Sequence, residues 1–195
     1  MQQSAEVQAA ALKNNEVFWG EITPCDHLVQ IYQHDEALID SLEGFIAGGL
    51  LAGDDVVLIA TPLHLAALEC RLADQGINLA SAITTDQYIA LDAEKTLARF
   101  MRNGWPDDAL FHTLIDGLLK RSKAGKRRVR AFGEMVAILW AQGNNGATVR
   151  LEHLWNRLCQ EKTFSLFCAY PKSGFTQDAA VSIKEICDAH SRCVS

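Results

Sequence analysis

Short apolar runs alternate with helix-length amphipathic segments from Leu28 almost to the C-terminus, and this alternation constrains the fold more than any other feature. Leu28-Val29-Gln30-Ile31-Tyr32, Val56-Val57-Leu58-Ile59-Ala60, Gln87-Tyr88-Ile89-Ala90-Leu91, Val129-Arg130-Ala131-Phe132 and Phe164-Ser165-Leu166-Phe167-Cys168-Ala169-Tyr170 read as strands. The second is continuously apolar, as in strands covered on both faces. Between them the apolar residues fall at helical spacing: Leu38, Leu42, Phe45, Ile46; Leu65, Leu68, Leu72; Leu110, Phe111, Leu114, Ile115, Leu118, Leu119; and Leu151, Leu154, Trp155, Leu158. Further helices are predicted over 94–101, 134–142 and 176–190. Thr61-Pro62 opens one helix with a cap and a first-turn proline, and Asn103-Gly104-Trp105-Pro106 forms a turn. Strand–helix alternation of this kind predicts an α/β fold in three layers, a mostly parallel sheet with helices on both faces. The 195 residues, 49% of them hydrophobic, suffice for one core. They divide into a lead-in over 1–20 and a single domain over 21–195.

Composition excludes several classes. No run of 18 uncharged apolar residues exists, so no membrane span is predicted. The first 20 residues carry neither the basic nor the apolar part of a signal peptide, which points to the cytoplasm. Six cysteines occur without a CxxC pair and are read as reduced thiols rather than a disulfide framework. Cys187, His190 and Cys193 could share one face of a helix, but no fourth ligand lies nearby in sequence. The segment is read as a helix face with incidental thiols, and no metal or cofactor is assigned.

In a sheet of this kind ligands bind beyond the carboxyl ends of the strands. The candidate ligand-binding residues are therefore Gln33, His34, Thr61, Glu134 and Tyr170. His34 ranks above His27, which sits at the opposite end of its strand. Glu134 follows a strand and a glycine, where its carboxylate would either face the crevice or complement the helix dipole. Trp155 and Cys168 are read as core, and Glu152 as a surface partner of Asn156 four residues on.

The turn after the first strand reads Tyr32-Gln33-His34-Asp35-Glu36-Ala37. It has no glycine for backbone approach to phosphate, no lysine, and two carboxylates that repel it. Ordinary ATP hydrolysis is thereby excluded, and no catalytic residue is assigned. The net charge of −6 argues against a generally basic nucleic-acid binder. One segment departs from it: seven of the 18 basic residues fall between Lys120 and Arg130, leaving 11 against 24 acidic residues elsewhere. Lys126, Arg127 and Arg128 are candidate contacts for an acidic protein partner. The segment has no aromatic residue for base stacking, and helix-end chemistry also accounts for cations there.

Taken in order, several segments resemble the MEDS domain, a sensory domain of methanogen and methylotroph proteins and of the dichloromethane dehalogenase regulator. They are His27–Tyr32, Phe45–Asp54, Leu91-Asp92-Ala93, Leu97–Phe100, Val129–Met135, Leu151–Asn156 and Phe167–Pro171. The resemblance runs from His27 to Phe175, about three quarters of the chain. It implies a RecA/KaiC-like layout without the phosphate loop, and the sensing of a small, hydrocarbon-derived ligand. Members often carry a DNA-binding or histidine-kinase module. Only about one helix follows Phe175, so the expected output is a separate protein partner, a histidine kinase or transcriptional regulator, or a homo-oligomer. The alternatives are a degenerate RecA-like nucleotide-binding domain and a small-molecule enzyme using His34 and Glu134.

Overall fold

A computed structural model describes Trp19 and residues 22–122, 127–175 and 179–194. In chain order the elements are β1 (His27–Tyr32), α1 (Asp35–Leu51), β2 (Asp55–Ala60), α2 (Pro62–Asp74), α3 (Leu79–Thr84), β3 (Tyr88–Asp92), α4 (Ala93–Phe100), β4 (Met101–Arg102), β5 (Trp105–Pro106), α5 (Asp108–Ser122), β6 (Val129–Gly133), α6 (Met135–Ala141), α7 (Asn145–Lys162), β7 (Ser165–Pro171), α8 (Ala179–Asp188) and β8 (Arg192–Val194). Six strands form one parallel sheet in the order β3-β2-β6-β7-β1-β8. The fold class is the expected three-layer α/β arrangement.

The alternation of side chains along each strand divides the core in two. Val57 and Ile59 of β2 join one apolar cluster with α4–α7, whereas Val56, Leu58 and Ala60 join another with α1, α2 and α3. All six β2 residues are buried, which is why its sequence shows no polar alternation. Trp155 belongs to the first cluster and is fully buried, edge-on to Phe111 with ring centroids 5.1 Å apart. A Cβ at Gly133 would come within 3.2 Å of that indole, so glycine there admits the ring.

Three details differ from the sequence expectation. The α3 helix went unread because LASAIT is one short turn and a half with no apolar period; Asn78 caps it by accepting from the Ser81 amide at 3.0 Å. The Asn103-Gly104 turn closes a two-stranded ribbon, β4 against β5, with φ of 52° and 75° at its central residues. The last helix ends at Asp188, and Cys193 lies on the edge strand β8. Cys187, His190 and Cys193 therefore do not share a helix face. Cys187 and Cys193 are instead joined as a disulfide with Cα atoms 5.4 Å apart, which corrects the reading of all six cysteines as reduced thiols.

The basic segment meets the chain's own carboxylates. Lys120 pairs with Asp116 at 2.7 Å, Arg127 with buried Asp55 at 2.5 Å, and Arg128 and Arg130 each with Asp54 at 2.9 Å. Arg121 pairs with Asp86. Lys123 and Lys126 lie outside the described residues. Arg130 is 2% exposed, its guanidinium also donating to the carbonyls of Trp19 at 2.7 Å and Phe45 at 3.2 Å. Gly49 gives its aliphatic stem room: a Cβ there would lie 2.8 Å from the arginine Cδ.

Candidate functional site

The expected site residues separate into two groups on opposite faces of the sheet. The first lies at the carboxyl ends of β2 and β6. These neighbouring strands feed helices on opposite faces, α2 on one and α6 on the other, which opens a crevice between them. Thr61 follows β2 and Glu134 follows β6. The Glu134 carboxylate accepts from the Thr61 amide at 2.7 Å and from its hydroxyl at 3.4 Å, and lies 2.9 Å from His64 Nδ1. Glu134 occupies the N-cap position of α6 but makes no capping bond with its side chain. It thus ties two strand ends together rather than serving the helix terminus.

His64, in the first turn of α2, is the histidine that Glu134 meets. Its second nitrogen is 3.7 Å from Asp35. No hydrogen bond or ion pair joins His34 to Glu134 among the described residues. Gln33 and His34 are exposed on the β1–α1 connection. The hydrogen bond that His64 donates to Glu134 raises the His64 pKa above its usual 6.5, while burial works the other way. A histidine with a raised folded pKa stabilises the fold fully below its unfolded pKa and loses that contribution as pH rises through the folded value. In NMR titrations His64 will therefore titrate above 6.5. In Glu134→Gln its pKa will fall, because burial remains and the carboxylate is gone; an unchanged titration would remove Glu134 as the cause.

The second group lies on the other face. Leu166, Cys168 and Tyr170 of β7 alternate onto it, as do His27, Val29 and Ile31 of β1. Over them lies α7, whose stripe of Thr148, Leu151 and Trp155 also contains Glu152. Glu152 is not on the surface beside Asn156, as its spacing suggested; its side chain is 15% exposed and turns inward. There the fully buried Tyr170 donates its hydroxyl to Glu152 Oε1. Glu152 Oε2 lies 3.5 Å from His27 Nε2 and 3.6 Å from His190 Nε2. Cys168 Sγ is 3.5 Å from His27 Nε2 and 3.9 Å from Glu152 Oε2. One donor atom from each of His27, Glu152, Cys168 and His190 lies within 4.8 Å of every other, so these four could hold a metal ion.

Burial lowers the His27 pKa to about 4 against the opposing pull of Glu152. Burial alone would raise Glu152 and lower His190; their mutual attraction outweighs it, holding the carboxyl low and the imidazole high. Burial, with Glu152 close by, pushes the Cys168 thiol and the Tyr170 phenol far up.

A cavity of about 410 Å³ opens beside this cluster, between α6, α7 and α8. Trp140, Val149 and Ile186 supply apolar wall, and Glu152, Tyr170 and His190 supply polar groups. The Trp140 indole is fixed by donating to the Gly174 carbonyl at 2.9 Å and by Phe175, whose ring centroid is 5.0 Å away. Of the expected ligand residues, Tyr170 lines this cavity, Thr61 and Glu134 meet in the crevice, and Gln33 and His34 join neither set of contacts.

The fold and these sites define a three-layer α/β domain whose β1–α1 connection reads Gln33-His34. Comparison with protein families adds the specific assignment. The chain belongs to the MEDS family: the description "MEthanogen/methylotroph, DcmR Sensory domain" matches residues 26–191. Membership supports a sensory or regulatory role. No curated protein matches the chain. No helix among the described residues is long and apolar enough to cross a membrane.

Proposed function

We propose that this protein is a cytosolic sensory domain that takes a small, largely apolar, hydrocarbon-derived molecule into the cavity over β7. The observation that carries the proposal is the chemistry of that cavity. A space of about 410 Å³ walled by Trp140, Val149 and Ile186 suits a small apolar body. Glu152, Tyr170 and His190 converge on it and would orient one polar group of the ligand. The walls come from α6, α7 and the end of α8, so a bound molecule would touch three helices at once. Occupancy would favour one arrangement of α8 and the neighbouring edge strand β8, which a protein partner, a histidine kinase or transcriptional regulator, or a second copy of the chain would read.

The crevice offers a second reading. Thr61, His64 and Glu134, with Gln33 and His34 on the nearby loop, would suit a polar ligand or proton-transfer chemistry. The switch in helix face between β2 and β6 favours this location. The two carboxylates at Asp35 and Glu36 disfavour a nucleotide in the crevice.

The readings separate in a thermal-shift experiment using short-chain alcohols, amines and haloalkanes as the panel. A binder at 100 times its Kd will add about 2.7 kcal/mol to stability. That gain will vanish in Thr148→Trp, which fills the cavity, and will survive in Glu134→Gln. The opposite pattern would transfer the function to the crevice.

A further inference from the structure

We propose that His27, Glu152, Cys168 and His190 form a binding site for a divalent transition-metal ion of the zinc class. The site shares Glu152 and His190 with the cavity wall, but its test needs no organic ligand. In a tetrahedral centre with bonds of about 2.0–2.3 Å, neighbouring donor atoms lie about 3.3–3.8 Å apart. Four of the six separations here are 3.5, 3.5, 3.6 and 3.9 Å, for His27–Cys168, His27–Glu152, His190–Glu152 and Cys168–Glu152, and all six lie within 4.8 Å. Two imidazoles, a thiolate and a carboxylate form a mixed nitrogen, sulfur and oxygen set of the kind that suits zinc, cobalt(II) or iron(II).

The hydrogen bonding around the cluster points the same way. The His190 Nδ1–H donates to the Ile186 carbonyl at 2.6 Å. That bond turns Nε2 inward, where it is buried without a hydrogen-bond partner although the side chain is only 2% exposed. A backbone carbonyl that fixes the ring and leaves the other nitrogen aimed at the centre is the usual support for a metal-bound histidine. Tyr170 holds Glu152 Oε1 and leaves Oε2 to face the centre. The His27 ring packs against that of His190 with centroids 4.1 Å apart; its Nδ1 is buried and has no partner. The Cys187–Cys193 disulfide brackets His190 between α8 and β8. Without a metal the cluster is held by hydrogen bonds, the Cys168 thiol donating to Glu152 Oε2 and a proton shared by Glu152 and His190; a metal ion would take the place of those protons. Metal binding releases the Cys168 thiol proton to solvent.

The test uses the full chain with its disulfide intact, stripped by a chelator and titrated with cobalt(II). Cys25→Ser/Cys70→Ser serves as the background to remove the exposed thiols. One cobalt per chain is expected, with the intense visible bands of tetrahedral cobalt and a near-ultraviolet thiolate-to-cobalt band. Cys168→Ser will lose the thiolate band. Tyr170→Phe, which frees Glu152 Oε1, will weaken binding by about 10–100-fold. The wild-type spectrum and stoichiometry decide the matter even where a variant does not fold. No uptake by folded wild-type protein would overturn the proposal and leave the cluster to its hydrogen bonds. Uptake that persists undiminished in folded Cys168→Ser and His190→Gln would also overturn it.

Discussion

Asp54→Leu will lower the unfolding free energy by about 3–5 kcal/mol, the cost of leaving a buried charge without its partner. For a domain of this size that corresponds to a fall of about 6–20 °C in melting temperature. Arg130 is 2% exposed and pairs with Asp54 at 2.9 Å. Without that carboxylate its guanidinium keeps only the Trp19 and Phe45 carbonyls, and one amino group already has no partner. Arg128, the other partner of Asp54, is half exposed and returns to water at little cost. The double variant Asp54→Leu/Arg130→Met will recover most of the loss, because removing both charges removes the desolvation penalty. Chemical denaturation of the two single variants and the double variant checks this. A single-variant loss below about 1 kcal/mol would mean that the pair acts as an ordinary surface ion pair.

The second large effect is expected at Trp155. Trp155→Ala will cost about 3–5 kcal/mol, the range for deleting a buried aromatic side chain. The indole packs edge-on to Phe111 and has Phe164 6.4 Å away between centroids, so the vacated space adjoins rings that cannot collapse into it. Trp155→Phe will cost much less. The indole N–H it removes is buried and has no hydrogen-bond partner. Equal losses for the two variants would show that the N–H, rather than ring volume, stabilises this part of the core.

Five of the six strands of the sheet were legible as apolar runs, β2 most plainly because it is covered on both faces. Thr61 and Glu134 were legible by the same logic, since a parallel sheet makes its strand ends predictable. The short α3 and β8 carry too few residues for any period to show. The cluster beside the cavity escaped for a different reason: it takes single residues from β1, α7, β7 and the α8–β8 connection, far apart in sequence. The strand-end rule also directed attention away from His27, which begins β1 and yet reaches the cluster. One signal was available. Glu152 falls on the same helical face as Thr148, Leu151 and Trp155, and a carboxylate in a buried stripe needs polar partners. His190 shares a C-x2-H-x2-C spacing with Cys187 and Cys193, but those two cysteines bond to each other and leave the histidine to a different set of neighbours.

A sensory reading based on the cavity over β7 is tested most directly at Trp140, which lines the wall and whose indole N–H, held by the Gly174 carbonyl, gives its own NMR signal. During titration with the member of the alcohol, amine and haloalkane panel that raises the melting temperature most, the Trp140 indole signal will shift saturably. It will do so with the same Kd as the thermal effect, and it will stay still in Thr148→Trp. A saturable shift at His64 with none at Trp140 would contradict the account and place binding in the crevice beside Glu134.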